Sequence, residues 1–266
     1  MRKNVYYFVV LIGVFIFLFV QFLYGGGSKK MTPNKMVENI HWFGQAAFKI
    51  NAENKVIYID PYRIKKKDKA DIILVTHDHQ DHFSKRDISK IVYDRTILVA
   101  PETCKNAVKG VIPEKVVLLN PGMSHNVDGI IKIEAVPAYN IKKTNFHPKS
   151  NLWLGYILTV NGVRIYHAGD TERIPEMKKF NCDIALLPLG QTYTMNSVKE
   201  ASEAARDVKA KIAIPMHYKI EGLSLPIATV DEFLQKTTFP IIKVGNEIDI
   251  EKEEIPTNPE IWIFTL

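Results

Sequence analysis

The stretch Thr76-His77-Asp78-His79-Gln80-Asp81-His82 constrains this chain more than any other. It follows the apolar run Ile72-Ile73-Leu74-Val75, which reads as a buried strand. Three imidazoles and two carboxylates so close together are too dense for a hydrophobic core and too ordered for a chance polar loop. Histidine and aspartate are the ligands that zinc and related divalent ions take, and one turn at a strand end offers them together. The pattern points to a metal site that performs hydrolysis.

Two further strand ends repeat the geometry. Val163–His167 runs through Ala168-Gly169 to Asp170, and Ile212–Pro215 runs through Met216 to His217. In each, an apolar strand delivers a ligand type at its carboxyl end, and loops at one edge of a layered fold can converge there. Asp60, at the end of its own strand, is expected to orient a ligand imidazole or to cap the turn before Pro61. His167 and His41 read as structural, and His125 lies in what reads as a turn.

The rest of the chain is strand after strand. Short β-rich runs are expected at 39–43, 47–51, 55–60, 96–100, 116–119, 130–136, 152–160, 183–187, 211–215, 241–244, 248–250 and 261–264. Asn161-Gly162 signals a type I′ hairpin. Helices are expected at 84–92 with Ser84 as N-cap, at 102–108, at 197–208 and at 229–236. The strands fall into two halves, the first ending near Tyr139 and the second starting near Asn151. Two sheets packed face to face with helices outside would bury so many strands.

Residues 5–24 are almost wholly apolar and would form a helix of about 30 Å, the thickness of a bilayer core. Residues 1–30 are therefore expected to be an uncleaved membrane anchor or a signal segment with a linker, and 31–266 the hydrolase domain. This implies a single-pass protein with its domain on the extracytoplasmic side, or a secreted one if the segment is cleaved. The net charge of +6 is uneven. Residues 1–30 carry Arg2, Lys3, Lys29 and Lys30 and no acid, which leaves the remainder only +2. A domain this close to neutral lacks the footprint of a nucleic-acid binder. Two cysteines, Cys104 and Cys182, exclude a disulfide framework and read as buried thiols.

His77-x-His79-x-Asp81-His82, then Gly169-Asp170, then His217, resembles the metallo-β-lactamase superfamily. Further stretches match a narrower branch of metal-dependent hydrolases, similar to ascorbate-6-phosphate lactonase and N-acyl phosphatidylethanolamine phospholipase D. They are Tyr58–Pro61, Pro137–Asn140, His147–Lys149, Tyr166–Thr171, Leu186–Pro188, Tyr193–Met195 and Ile214–His217. The resemblance implies an α/β fold, a four-layer αββα sandwich of two mixed sheets with flanking helices. It implies two divalent metal ions, zinc first, with Mn²⁺ or Fe²⁺ as alternatives. His77 and His79 would bind one ion, Asp81, His82 and His217 the other, and Asp170 would bridge them. Asp81 and Asp170 would serve catalysis as well as binding. The first ion's remaining ligand departs from the family pattern. Asn140 stands where a histidine is usual, so His147, seven residues on, is the expected replacement, with Asn140 or water as the alternative and His125 as a weaker candidate. Lys142, Lys143 and Lys149, with Tyr139, Tyr193 and Tyr218, suggest a small-molecule or lipid-like substrate of anionic character. A nuclease, a non-catalytic metal protein and a di-iron oxidoreductase are the rival functions.

Overall fold

Period-two apolar patterning yields strands that sort into two mixed sheets. The computed structural model describes residues 40–65, 68–111, 113–160, 162–189 and 191–220, then 222, 226–227, 229–231, 240–244 and 260–264. The first sheet holds β1 (Ile40–Gly44), β2 (Ala47–Ala52), β3 (Lys55–Ile59), β4 (Ile72–Leu74), β5 (Ile97–Pro101) and β6 (Lys115–Leu119) in that spatial order. Tight turns make β1 to β3 antiparallel, while β3 to β6 run parallel.

The second sheet is built from β7 (Ser124–Val127), β8 (Ile131–Pro137), β9 (Leu154–Val160), β10 (Val163–His167), β11 (Ile184–Pro188), β12 (Ile212–Met216), β13 (Ile241–Val244) and β14 (Glu260–Phe264). Its spatial order is β7-β8-β9-β10-β11-β12-β14-β13. Strands β7 to β10 are antiparallel, and the sheet is parallel from β10 onward.

One core lies between the sheets and one outside the first. Ile57, Ile59, Ile72 and Leu74 face the inner core with Ile133, Tyr156, Leu158 and Ile165 of the second sheet. Their neighbours Tyr58 and Ile73 point the other way, onto Ile88 and Ile91 of helix α1 (Lys85–Ile91). This alternation is why β4 is apolar throughout: both of its faces are covered, as in parallel sheets generally. Ser84 caps α1, its hydroxyl accepting from the Asp87 N–H. Helix α2 (Val198–Asp207) starts from Ser197 in the same way and lays Ala201 and Ala205 against Leu187, Ala213 and Ile261. Small residues there let the helix sit close to the sheet.

Where the sheets meet at the strand ends, hydrogen bonds join them. The Tyr156 hydroxyl donates to Val75 O at 2.7 Å, Leu154 N to Thr76 O at 3.1 Å, and His217 N to Gln45 O at 3.0 Å. His167 Nε2 lies 2.9 Å from Ala46 O, which gives that histidine its structural role.

Several expectations need correction. The sheets divide between Leu119 and Ser124, earlier than the expected break near Tyr139. His125 sits in edge strand β7, not in a turn, because pairing with β8 imposes the strand on a polar sequence. Residues 102–104 form one 3₁₀ turn rather than a helix reaching Val108. Asn161, most of the expected helix at 229–236 and the strand at 248–250 lie outside the described residues. So does the apolar segment 5–24. The membrane-anchored placement is likewise corrected: among the described residues no helix is long and apolar enough to cross a membrane. Helices α1 and α2, of 7 and 10 residues, fall well short of the roughly 20 residues a crossing requires.

Candidate metal centre

The loop after β4 is held from below by Asp60. Its Oδ1 accepts the Thr76 N–H at 2.8 Å, and its Oδ2 accepts the Thr76 hydroxyl at 2.6 Å. The same Oδ2 lies 2.8 Å from His82 Nδ1. With that nitrogen protonated toward Asp60, Nε2 of His82 faces the centre. Thr76 Oγ1 lies 2.9 Å from His77 Nδ1 and orients that ring likewise. A turn closed by His82 N and Phe83 N on His79 O completes the loop.

Three elements of the second sheet answer it. Gly169 turns the chain after β10 at φ +62°, where a Cβ would lie 2.8 Å from Leu154 O and 3.1 Å from Thr76 Cβ. Only glycine fits, and the turn presents Asp170. His217 follows β12 at φ +54°. His147 arrives on the loop between β8 and β9, its Nδ1 lying 3.1 Å from Tyr193 O. Asp60, Gln45, Leu152 and His217 all adopt the left-handed region without being glycine. They are four of the ten non-glycine residues with positive φ among the described residues, each a conformation that costs about 1–3 kcal/mol and that the surroundings must hold.

All seven candidate ligands come together. His77, His79 and His147 offer ligand atoms within 4.8 Å of one another, as do Asp81, His82 and His217, and also His77, His82 and Asp170. Asp170 lies between the first two sets. Its Oδ2 is 3.1 Å from His217 Nε2 and 3.3 Å from His147 Nε2, and its Oδ1 is 3.5 Å from His82 Nε2. His77, His82, His147, Asp170 and His217 are buried, while His79 and Asp81 face the opening. Of the two expected alternatives, the structure brings His147 to the first set. Asn140 instead directs its amide nitrogen to Tyr193 O and Lys143 O.

The cluster fits a cation on its own chemistry. His82 Nε2, His147 Nε2 and Asp170 Oδ1 are buried without a hydrogen-bond partner. Buried polar atoms are ordinarily satisfied, so orphans converging on one space call for a shared partner. Ligands of a tetrahedral ion with bonds of about 2.0–2.1 Å sit about 3.3 Å apart. His77 Nε2 and His79 Nδ1 are 3.1 Å apart. Charge is divided within the cluster. Burial would raise Asp170, but the His217 and His82 imidazoles hold it well below the usual carboxylate range. Burial would lower His82 and His217, but Asp170, with Asp81, holds both above the ordinary histidine value. His77 and His79 are kept below that value, first by burial and then by neighbouring imidazoles.

Three contributors escaped the sequence. Gln45, fully buried in the β1–β2 turn, places Nε2 2.8 Å from Asp81 Oδ2 and 3.0 Å from His217 Nε2. Its only sequence signal is one amide inside the apolar run Trp42–Phe48. Trp153 packs its ring 4.8 Å from both His77 and His79 and 5.4 Å from His147, walling the first set. Glu172 binds the loop that carries His147. Conversely, Lys143 donates to Gln191 O and Thr194 O, and Lys149 sits over the Tyr139 ring at 4.5 Å beside Glu176. Tyr218 is buried against Trp42. Lys143 and Tyr218 are thus taken up by the framework, while Lys149 pairs with Glu176 at the surface.

A family model described as a beta-lactamase superfamily domain matches residues 39–217. The chain belongs to this superfamily. A metal-dependent hydrolase of Thermococcus kodakarensis is 34% identical over 237 residues, covering 79% of this chain and 99% of that protein. A solved structure of a candidate metal-dependent hydrolase from Parabacteroides distasonis is 33% identical at a TM-score of 0.65, covering 84% and 91%. A candidate zinc-dependent hydrolase of the metallo-β-lactamase superfamily from Thermotoga maritima is 27% identical at a TM-score of 0.60, covering 85% and 98%. Within the superfamily the chain is a metal-dependent hydrolase with the α/β sandwich of these neighbours. The match carries that hydrolase unit and brings no membrane-anchored placement with it.

Proposed function

We propose that the seven residues form a dinuclear centre, zinc first, that hydrolyses an ester, lactone or phosphodiester bond in a small molecule. The observation that carries this reading is Asp170, a buried carboxylate between two separate sets of histidines with one oxygen unpartnered. His77, His79 and His147 would hold one ion, and Asp81, His82 and His217 the other. When bound, divalent ions supply a water of lowered pKa and polarise the scissile oxygen. The chain's own residues do the rest. Asp60 and Tyr193 O take the outward N–H of His82 and His147, so that Nε2 of each faces inward. Gln45 holds one oxygen of Asp81. Trp153 excludes bulk water from the His77 side.

A substrate with an apolar part fits best. Ile141, Phe146 and Leu152, three of the six exposed large apolar side chains among the described residues, lie within six positions of His147 in the chain. The near-neutral domain continues to argue against nucleic acid.

The test is a metal count on the full chain followed by turnover on p-nitrophenyl acyl esters, lactones and phosphodiesters. Asp170→Asn is expected to abolish whichever activity appears. Undiminished turnover in that variant, with metal content unchanged, would sink the bridging assignment.

A further inference from the structure

Glu172 is a buried carboxylate, 1% exposed, that the hydrolytic reading does not use. It stands two residues beyond Asp170 and points away from the candidate ligands, toward the loop that bears His147. Its Oε2 accepts the backbone N–H of Ile141 at 2.8 Å and of Lys142 at 2.7 Å, and its Oε1 that of Lys143 at 3.2 Å. Three successive N–H groups converge on one anion, and no side chain with fewer acceptors could satisfy them all. Thr171 adds a second tether, its hydroxyl donating to Tyr139 O at 2.8 Å while Glu172 N donates to the same oxygen at 3.1 Å.

The network continues beyond the loop. The Lys143 ammonium lies 3.8 Å from Glu172 Oε1 and donates to Gln191 O and Thr194 O. Between those two carbonyls in the chain is Tyr193 O, which receives Asn140 Nδ2 at 2.6 Å and lies 3.1 Å from His147 Nδ1. Asn140 N also donates to His147 O at 2.7 Å, closing the loop across its base. One carboxylate therefore fixes both the loop that carries His147 and, through Lys143, the carbonyl that turns its ring.

We propose that Glu172 is the positioning residue of the His77–His79–His147 set. It holds residues 141–143 in the one arrangement that lets a histidine seven positions beyond Asn140 reach the centre. The inference rests on the reading that His147 is a metal ligand.

The test is equilibrium dialysis of the full chain against buffered zinc, with bound metal counted and cobalt(II) substitution reporting ligand geometry. His147→Ala and His217→Ala serve as references for losing one set or the other. Glu172→Ala should resemble His147→Ala, with affinity for one ion falling about 10–100-fold, the usual effect of removing a group that orients a ligand. The other ion should keep its parental affinity. Glu172→Gln retains one carbonyl acceptor and should fall between parent and alanine variant. It carries the test if Glu172→Ala does not fold. A merely structural role would lower the thermal midpoint of the metal-free protein and leave the cobalt spectrum parental. Parental affinity for both ions in the Glu172 variants, while His147→Ala loses one, overturns the positioning role alone. No loss of metal in His147→Ala overturns the ligand reading, and this inference with it.

Discussion

At the scale of single residues, the centre is governed by groups that do not face it. Asp60 is the clearest: one carboxylate at φ +47° accepts from Thr76 N, Thr76 Oγ1 and the His82 ring. Asp60→Asn keeps the shape but turns one acceptor into a donor facing another donor. Affinity for the ion assigned to Asp81, His82 and His217 is expected to fall about 10–100-fold, read by zinc titration against a competing chelator. Proton linkage offers a second check. In the metal-free protein, against the opposing effect of burial, Asp170 and Asp81 hold His82 above its ordinary value of about 6.5 and so favour the protonated ring. Metal binding must displace that proton, so affinity is expected to rise with pH until the raised value is passed. Zinc calorimetry near pH 7 in buffers of different ionisation enthalpy should therefore show proton release. Absence of proton release would mean that neither His82 nor His217 is raised. In the metal-free protein the stability that the raised group contributes is full below its unfolded value and is lost as pH rises through the folded one.

At the scale of elements, legibility followed the locality of the signal. β4 is apolar on both faces and is followed at once by ligand types, so strand and site could be read together. Ser84 and Ser197 announce their helices because capping is a contact within one turn. β7 was not legible: Ser124-His125-Asn126-Val127 lacks alternation, and only β8 beside it makes it a strand. The site divided along the same line. Strand ends gave Asp170 and His217, and Asp60 was readable as the partner of an imidazole. Gln45 and Glu172 were not, since each acts across a distance that only tertiary packing closes. Lys143 was misplaced for the complementary reason. Nearness in sequence to His147 says nothing about direction: the Lys143 ammonium turns to Gln191 O and Thr194 O, while Lys149 stays at the surface beside Glu176. Gly169 shows how narrow a local requirement can be, because the backbone of β9 occupies the space a side chain would need.

At the scale of the molecule, the two sheets share one buried set of unpartnered atoms. Removing metal should therefore be felt by the whole domain rather than by one loop. A ligand present at a hundredfold its Kd adds about 2.7 kcal/mol to stability. For a chain of this size each kcal/mol moves the midpoint by about 2–4 °C. Exhaustive chelation is expected to lower Tm by about 5–10 °C in a thermal scan, and restoring zinc to recover it. An unchanged midpoint would mean that the cluster binds no ion tightly.

The hydrogen bonds that join the sheets at the strand ends also bear on the kinetics of metal binding. His77, His79, Asp81 and His82 belong to the first sheet, and His147, Asp170 and His217 to the second. Neither half alone offers a full set, and the bonds from Tyr156 to Val75 and from His217 to Gln45 form only once the halves have docked. Such pairings between distant parts of the chain make folding slow. Metal needs ligands from both halves, so zinc is expected to slow unfolding and leave the refolding rate unchanged in a stopped-flow experiment; faster refolding at an unchanged unfolding rate would place its site in the transition state.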